Sequence, residues 1–193
     1  GWIIIDKPTG MTSTAVVNKI KWACSARKAG HAGTLDPSAT GILAIALGEA
    51  TKTIPYVTEQ VKSYTFEVKW GEATDSDDSD GKIIKTSQMR PSEQDIIAIL
   101  PRFRGEIKQT PPFFSAVKIN GRRAYELARS GEDFDIASRS LFVSSLKLEK
   151  YISENSAILS LECGKGGYVR SIARDLGLEP VSYTHLRAHE TRS

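Results

Sequence analysis

The sequence is poor in cysteine, and it has no hydrophobic run long enough to span a membrane. Only two cysteines occur among 193 residues, Cys24 and Cys163. They lie far apart and form no C-x-x-C pair, which argues against a zinc knuckle and is typical of a reducing compartment. No secretory signal pattern precedes the first apolar segment. We therefore expect a cytoplasmic protein with no membrane partner.

Motifs for cofactors and metals are also missing. The glycine-rich turn at 164–167 has neither G-x-G-x-x-G spacing nor the GK[ST] of a P-loop. The acidic run 75–81 fails as a calcium loop. With Gly81 as the loop glycine, Ser76 and Ser87 take positions that require carboxylates. We expect no cofactor and no metal, and we interpret the acidic run as a solvated turn.

The composition predicts one globular domain. Hydrophobic residues make up 40% of the chain, charged residues 25%, and the net charge is +3, which permits an acidic partner without requiring one. Strand patterns outnumber helix patterns, so we expect the α+β class, with a large mixed or antiparallel sheet flanked by helices. Strands are predicted at 2–5, 42–47, 62–70, 82–85, 102–109, 140–151 and 156–163. Helices are predicted from Thr12 or Ser13 to Cys24, over 49–56 ending at Pro55, over 92–100 ending before Pro101, and after the 164–167 turn up to Gly177.

One loop, Gly30–Gly41, concentrates three glycines and a proline, so it cannot be the interior of a helix or a regular strand. It contains one carboxylate, Asp36, and one imidazole, His31. Pro37 favours an extended backbone at Asp36. From the residues alone, Asp36 is either a nucleophile or an acceptor of nearby backbone N–H groups.

The loop, read as Gly-His-x-Gly-Thr-Leu-Asp-Pro-x-Ala-Thr-Gly and followed by Leu47–Lys52, closely resembles the catalytic motif of TruB-type tRNA pseudouridine synthases. Three further stretches resemble other motifs of that family, namely 7–13, 109–129 and 164–177. The resemblance implies a pseudouridine synthase fold and isomerisation of uridine to pseudouridine at position 55 in the tRNA T arm. It implies base flipping and an aspartate-dependent exchange of a C–N for a C–C glycosidic bond. It also implies tRNA as partner, and we expect a monomer.

The resemblance assigns roles to individual residues. Asp36 matches the catalytic carboxylate, Arg170 its arginine partner, and Tyr64 a base-stacking ring that we also expect to accept a proton. Predicted RNA contacts are His31, Lys7, Lys52, Lys118, Arg123 and Tyr168. Phe114 stands where a tyrosine is usual in the family, so any hydrogen bond from that hydroxyl is lost. The alternatives from the residues alone are a solvated turn lysine at Lys7 and an exposed helix lysine at Lys52.

The ends of the chain suggest a fragment. We expect a catalytic domain over residues 1–180, a polar, non-native-looking tail over 181–193, and no C-terminal domain of the PUA type that bacterial family members carry. One rival interpretation is a non-catalytic RNA-binding or tRNA-folding module in which Asp36 is structural. Another is a metal-dependent hydrolase that uses Asp75 to Asp80, which full activity in EDTA would remove.

Overall fold

A computed structural model describes residues 1–179 and the backbone of residues 184–192. The chain forms two compact units, one made of Gly1–Thr65 with the chain from His189 onward, the other of Phe66–Ala188. The strands are β1 (Trp2–Lys7), β2 (Ala29–His31), β3 (Thr40–Leu47), β4 (Lys62–Trp70), β5 (Glu72–Thr74), β6 (Ile83–Thr86), β7 (Gly105–Gln109), β8 (Lys118–Ile119), β9 (Arg122–Arg123), β10 (Arg139–Ser153), β11 (Ser156–Cys163) and β12 (Thr184–Arg192). The helices are α1 (Ser13–Ala23), α2 (Ile54–Thr58), α3 (Glu93–Ile99), α4 (Ala124–Ser130) and α5 (Val169–Leu178), with 3-10 turns at Gly48–Thr53 and Leu100–Phe103.

In the first unit, α1 packs on a small sheet. Strand β3 pairs antiparallel with β1 and β2, and two of its residues pair in parallel with β12. Thr12 caps α1, because its hydroxyl accepts a hydrogen bond from the Ala15 N–H at 3.1 Å. The apolar face of α1 and the alternating side chains of β3 form a common core of Val16, Val17, Leu43 and Ile45. Ala29 of β2 and Leu47 of β3 pack against this core, and the segment between these strands contains Asp36.

In the second unit, the hydrogen-bonded strand neighbours are β4, β11, β10 and β7, in that order. The pairs β10–β11 and β10–β7 are antiparallel. Phe66, Val68 and Trp70 alternate along β4 and are buried, as the period-two pattern predicts. Helix α5 contributes Ile172 and Leu176 to the buried core. The predicted α+β class is confirmed.

Three predicted element boundaries are wrong, two helix ends and one strand start, each near a proline or glycine. Pro55 lies in the first turn of α2 and does not end a helix, because a proline there loses no intrahelical hydrogen bond. The predicted helix end before Pro101 is confirmed, since α3 ends at Ile99. Pro101 lies at the start of a 3-10 turn, so the following strand begins at Gly105 and not at Arg102. Gly177 is buried within α5, which continues to Leu178.

The predicted tail falls partly outside the structure. Residues 181–183 and 193 lie outside the described residues, and residues 184–192 form β12. Glu190 of this strand lies opposite Thr40 of β3. The division at residue 180 stays a prediction.

Within the described ranges, no helix has both the length and the hydropathy required to cross a lipid bilayer.

Gly71 offers a test of packing in the second unit. Its φ is +98°, and a Cβ there would lie 2.3 Å from a guanidinium nitrogen of Arg90. That guanidinium cannot move freely, because it donates to Asn155 Oδ1 at 2.7 Å and to the carbonyls of Ser87 and Met89 at 2.8 Å. We expect Gly71→Ala to lower the free energy of unfolding by about 3 kcal/mol or more, from left-handed strain plus lost charged hydrogen bonds.

Gly131→Ala is the matched control, since Gly131 has φ +70° with nothing within 4 Å of the added carbon. Gly131→Ala should lower the free energy of unfolding only by the left-handed backbone strain, about 1–2 kcal/mol. Urea denaturation measures both losses. Equal losses would contradict the steric argument.

Candidate active site

The predicted site residues divide between the two units. The first unit contains Asp36, Tyr64, His31, Lys7 and Lys52. The second contains Arg170, Lys118, Arg123 and Tyr168.

Lys7 holds the Asp36 loop from below. Its side chain is fully buried, and its ammonium donates to the carbonyls of Pro8 and Met11, each at 2.8 Å, and of Pro37 at 3.3 Å. Pro37 directly follows Asp36. One cation therefore ties the turn after β1 to the backbone beside the predicted catalytic carboxylate.

The structure corrects both expectations for Lys7. A fully buried ammonium is neither a solvated turn charge nor placed to contact RNA. Burial lowers the pKa of Lys7, while the nearby Asp36 carboxylate raises it, so the two groups attract each other. Lys7 is a positioning residue for the Asp36 loop.

Further hydrogen bonds fix the same loop, and sequence analysis missed the most buried of them. The Ser13 hydroxyl accepts from the Leu35 N–H at 2.9 Å and donates to the Leu35 carbonyl at 3.0 Å. The Gly10 N–H donates to the Pro37 carbonyl at 2.7 Å. Ser13 was predicted only as a possible helix cap, and Thr12 takes that place. Two adjacent hydroxyl residues at a helix start were the available signal, because only one can be the cap.

Replacing Lys7 with methionine should destabilise the protein. The Lys7→Met side chain keeps the length but removes the charged donor, so the Pro8 and Met11 carbonyls lose a hydrogen bond worth about 1.5–3 kcal/mol each, while the Pro37 carbonyl keeps the Gly10 N–H. We expect the free energy of unfolding to fall by about 3 kcal/mol or more, close to the cost of breaking a buried charged contact. Thermal or urea denaturation measures the loss.

The control is Lys52→Met. The Lys52 side chain is 74% exposed, and among the described residues its one ion pair is with Glu49, at 2.6 Å. Its loss should stay within about 0.5 kcal/mol. If Lys7→Met and Lys52→Met lowered the free energy of unfolding by equally small amounts, Lys7 would not stabilise the Asp36 loop.

The other first-unit residues are accessible to different degrees. Asp36 and Tyr64 are half-buried, and Tyr64 lies in β4 ahead of the fully buried Phe66. His31 lies in β2, and its buried Nδ1 has no hydrogen-bond partner among the described residues. Lys52 is the exposed helix lysine of the alternative interpretation, which leaves its ammonium within reach of a phosphate. RNA contacts by His31 and Lys52 stay predictions.

In the second unit, backbone carbonyls hold Arg170. Its side chain is nearly buried at 6% exposed, and its guanidinium donates to the carbonyls of Ser76 and Phe114, each at 3.0 Å. The Asp78 carboxylate lies 3.6 Å away. Phe114 reaches Arg170 through its main chain, so this contact does not need the hydroxyl that a tyrosine would supply. The pairing of Arg170 with Asp36 stays a prediction.

The interpretation of the acidic run as a solvated turn is wrong. Asp77 is buried and forms an ion pair with Arg174 of α5 at 2.8 Å. Burial raises the pKa of Asp77, and the Arg174 charge opposes that rise. Asp78 accepts from the Ser76 hydroxyl at 2.6 Å. The run packs against α5 because two arginines of that helix neutralise it.

Among the described residues, no group of three or more His, Cys, Asp or Glu side chains is arranged to hold a metal ion.

Gln109 joins α5 to the end of β7. Its side-chain amide donates to the Tyr168 carbonyl at 3.1 Å and accepts from the Tyr168 N–H at 2.9 Å. Ser171 donates to the Thr110 carbonyl at 2.8 Å, and Arg174 donates to it at 2.7 Å. The sequence did not indicate these hydrogen bonds, because their partners are 59 to 64 residues apart and only the structure shows that Gln109 and Ser171 are buried. The segment after β7 and the helix start before Arg170 are thereby held together.

The predicted basic segment 109–129 forms a hairpin and a helix. Lys118 is exposed in β8, and Arg123 is exposed at the start of α4, where it donates to the Ala116 carbonyl at 2.6 Å. A cavity of about 660 Å³ adjoins this segment. It is lined by Asp75, Phe113, Phe114, Ala128, Gly131, Glu132, Asp133, Phe134 and Asp135. Its carboxylates would repel phosphates, so we expect RNA contacts at Lys118 and Arg123 and not in the cavity.

The chain matches known proteins in both sequence and fold. The family model "TruB family pseudouridylate synthase (N terminal domain)" matches residues 21–169. A solved Cbf5–Nop10–Gar1 complex matches with a TM-score of 0.75 and 28% identity, over 100% of this chain and 48% of the other. The structure of an H/ACA RNP bound to a substrate RNA containing 2′-deoxyuridine matches with a TM-score of 0.72 and 25% identity, over 100% and 47%. The fold is that of the pseudouridine synthases.

Curated relatives extend this result. The tRNA pseudouridine synthase B of Ruegeria pomeroyi is 57% identical over 187 residues, 97% of this chain and 62% of the relative. That of Cereibacter sphaeroides is 60% identical over 177 residues, 92% of this chain and 59% of the relative. The chain thus belongs to the TruB family of pseudouridylate synthases. It spans about three fifths of the length of these relatives.

Proposed function

We propose that the protein isomerises uridine to pseudouridine at position 55 in the T arm of tRNA. The main support is the placement of Asp36. It is half-buried on a loop held by the Lys7 ammonium and the Ser13 hydroxyl, in a chain of the TruB family. A carboxylate held this way is oriented before substrate arrives, which lowers the cost of reaching a reactive geometry.

The proposed reaction exchanges one bond at the ribose. The C1′–N1 bond breaks, the uracil turns, and a C1′–C5 bond forms. The proton on C5 leaves and N1 gains a proton, so the overall change is an isomerisation with no oxidant or reductant. The Asp36 carboxylate acts in its ionised form, either by adding to uracil C6, by attacking C1′, or by removing the 2′ proton. Each route requires the free lone pair of the carboxylate.

The other predicted catalytic residues support Asp36. Arg170 is proposed to pair with the carboxylate and set its direction, because a guanidinium donates two parallel hydrogen bonds. Tyr64 is proposed to stack on the uracil and to accept the C5 proton. Tyr64 precedes the buried Phe66, Val68 and Trp70 on the same face of β4, as the period-two pattern places it.

Substrate access requires base flipping. Extruding a stacked uridine costs about a few kcal/mol, which the protein offsets with contacts to the displaced RNA. We propose His31, Lys52, Lys118, Arg123 and Tyr168 for these contacts. Lys7 takes no part because it is buried. A monomer in the cytoplasm suffices for this reaction, since every proposed group comes from one chain.

The test is conversion of an unmodified T-arm stem–loop. The chain is incubated with the RNA, with and without EDTA, and pseudouridine is mapped by carbodiimide modification and primer extension. We expect conversion at one uridine, unchanged by EDTA. Binding without conversion would support the rival RNA-binding module, and loss of conversion in EDTA would support a metal-dependent reaction.

A further inference from the structure

Trp22 is the unusual aromatic residue of this chain. It lies in the last turn of α1 and is 84% exposed. The other two tryptophans are buried or hydrogen-bonded within the protein. Trp70 is buried, and the Trp2 indole N–H donates to Thr53 Oγ1 at 3.2 Å. Leaving an indole in water forgoes the large gain from burying it, so an exposed tryptophan marks a surface for a partner.

Uncompensated positive charge surrounds Trp22 in the sequence. No acidic residue occurs between Asp6 and Asp36. The exposed cations of this stretch are Lys19, Lys21, Arg27 and Lys28. Within the part of the chain that the structure describes, none of these four side chains makes an ion pair or a hydrogen bond. Since the whole protein has a net charge of only +3, the positive charge is concentrated here.

The end of α1 keeps these groups at one place. Lys19 and Trp22 are three residues apart on the helix and so are neighbours on its surface. The chain then turns at Ser25, whose φ is +47°. The Ala26 N–H donates to the Lys21 carbonyl at 2.9 Å, which fastens the turn leading to Arg27 onto the last helical turn.

We propose that this surface, made of Lys19, Lys21, Trp22, Arg27 and Lys28, binds RNA. The Trp22 indole stacks on an unpaired base, and the cations contact phosphates on either side of it. Charge favours RNA, because four unpaired cations with no acid among them match the repeating negative charge of a phosphate backbone, whereas a protein would need an acidic patch of the same extent. This surface rests on the proposed function for the identity of the RNA, which is the tRNA substrate outside the catalytic loop.

The first test measures affinity. Binding of an unmodified tRNA transcript is compared for the wild type, Trp22→Ala, Trp22→Phe and Phe142→Ala. We expect Trp22→Ala to raise the dissociation constant by about 5- to 150-fold, the range for losing one base–aromatic stack. Trp22→Phe should retain most of the affinity. Phe142→Ala is the matched control, since Phe142 is also exposed, at 50%, and lies on β10 of the second unit.

The second test measures the fluorescence emission of Trp22. Stacking of a base quenches indole emission, so tRNA should quench the wild type and should quench Trp22→Phe much less at equal occupancy. Replacing both Lys19 and Lys21 with glutamine should reduce the slope of log K against log salt by about 1.4 to 1.8, if each contacts a phosphate. Heparin, a polyanion without bases, should bind the Trp22→Ala variant as tightly as the wild type.

The two proposals fail differently. If Trp22→Ala bound tRNA as tightly as the wild type, with Trp22 emission unchanged by tRNA, the RNA surface would be refuted even if uridine were converted. If tRNA quenched Trp22 but no uridine were converted, the proposed isomerisation would fail while this surface stood. Circular dichroism checks that Trp22→Ala is folded, which the exposure of Trp22 leads us to expect.

Discussion

Asp36→Asn should abolish conversion of uridine and leave RNA binding nearly unchanged. The substitution preserves shape and removes the negative charge that each of the three proposed routes requires. We expect the rate to fall by about 10⁴-fold or more, the scale seen when an enzyme loses the group that starts its chemistry. Single-turnover conversion of an unmodified tRNA measures the rate, and filter binding measures affinity.

The matched control for this variant is Asp6→Asn. Asp6 is an exposed aspartate in β1 of the same unit, and it lies one residue before Lys7. The Asp6→Asn variant should convert uridine at the same rate as the wild type. Because the Asp36 loop is held mainly through backbone carbonyls and the Ser13 hydroxyl, Asp36→Asn should also fold normally. Residual conversion within tenfold of the wild type would mean that Asp36 is structural.

Arg170→Lys should slow the chemical step far more than it weakens RNA binding. Lysine keeps the charge but loses the planar fork that donates to two acceptors at once. In the structure that fork spans the carbonyls of Ser76 and Phe114. A partner shifted by about 1 Å can cost roughly 100-fold in rate, so we expect at least that loss. Single-turnover kinetics separates the rate from the dissociation constant.

A double variant tests whether Arg170 acts through Asp36. If the two side chains work as a unit, Asp36→Asn combined with Arg170→Lys should be no slower than Asp36→Asn alone. A purely structural arginine would instead lower stability and affinity, with additive losses of rate. Arg139→Lys, at an exposed position of β10, should change neither quantity. A fully active Arg170→Lys would end the proposed pairing.

The hydrogen bonds of Arg170 fix the position of its guanidinium within the second unit. It is buried, yet its hydrogen bonds go to main-chain carbonyls of two separate segments, the acidic loop and the segment after β7. Arg174, one turn further along α5, pairs with Asp77 of the same acidic loop. Both arginines therefore fix α5 against that loop, which explains why Asp77 is buried and Asp78 largely so.

The sequence by itself determined the class of fold, the elements along the chain and the loop that holds Asp36. These depend on local information. Period-two alternation marks β4, a hydroxyl residue caps α1, and the motif around Asp36 is contiguous, so each can be recognised without knowing what packs against it. The helix ends at Pro55 and Gly177 were misjudged because proline and glycine stop helices only in some positions.

Only the tertiary structure decided which charges are buried and what they hold. Lys7 reaches a carbonyl 30 residues away, and Arg174 reaches a carboxylate 97 residues away. Such partners are adjacent in space but not in sequence, and burial decides whether a lysine faces solvent or replaces water around a loop. For the same reason the exposure of Trp22 was invisible in the sequence, where its helix pattern differs little from that of a core residue.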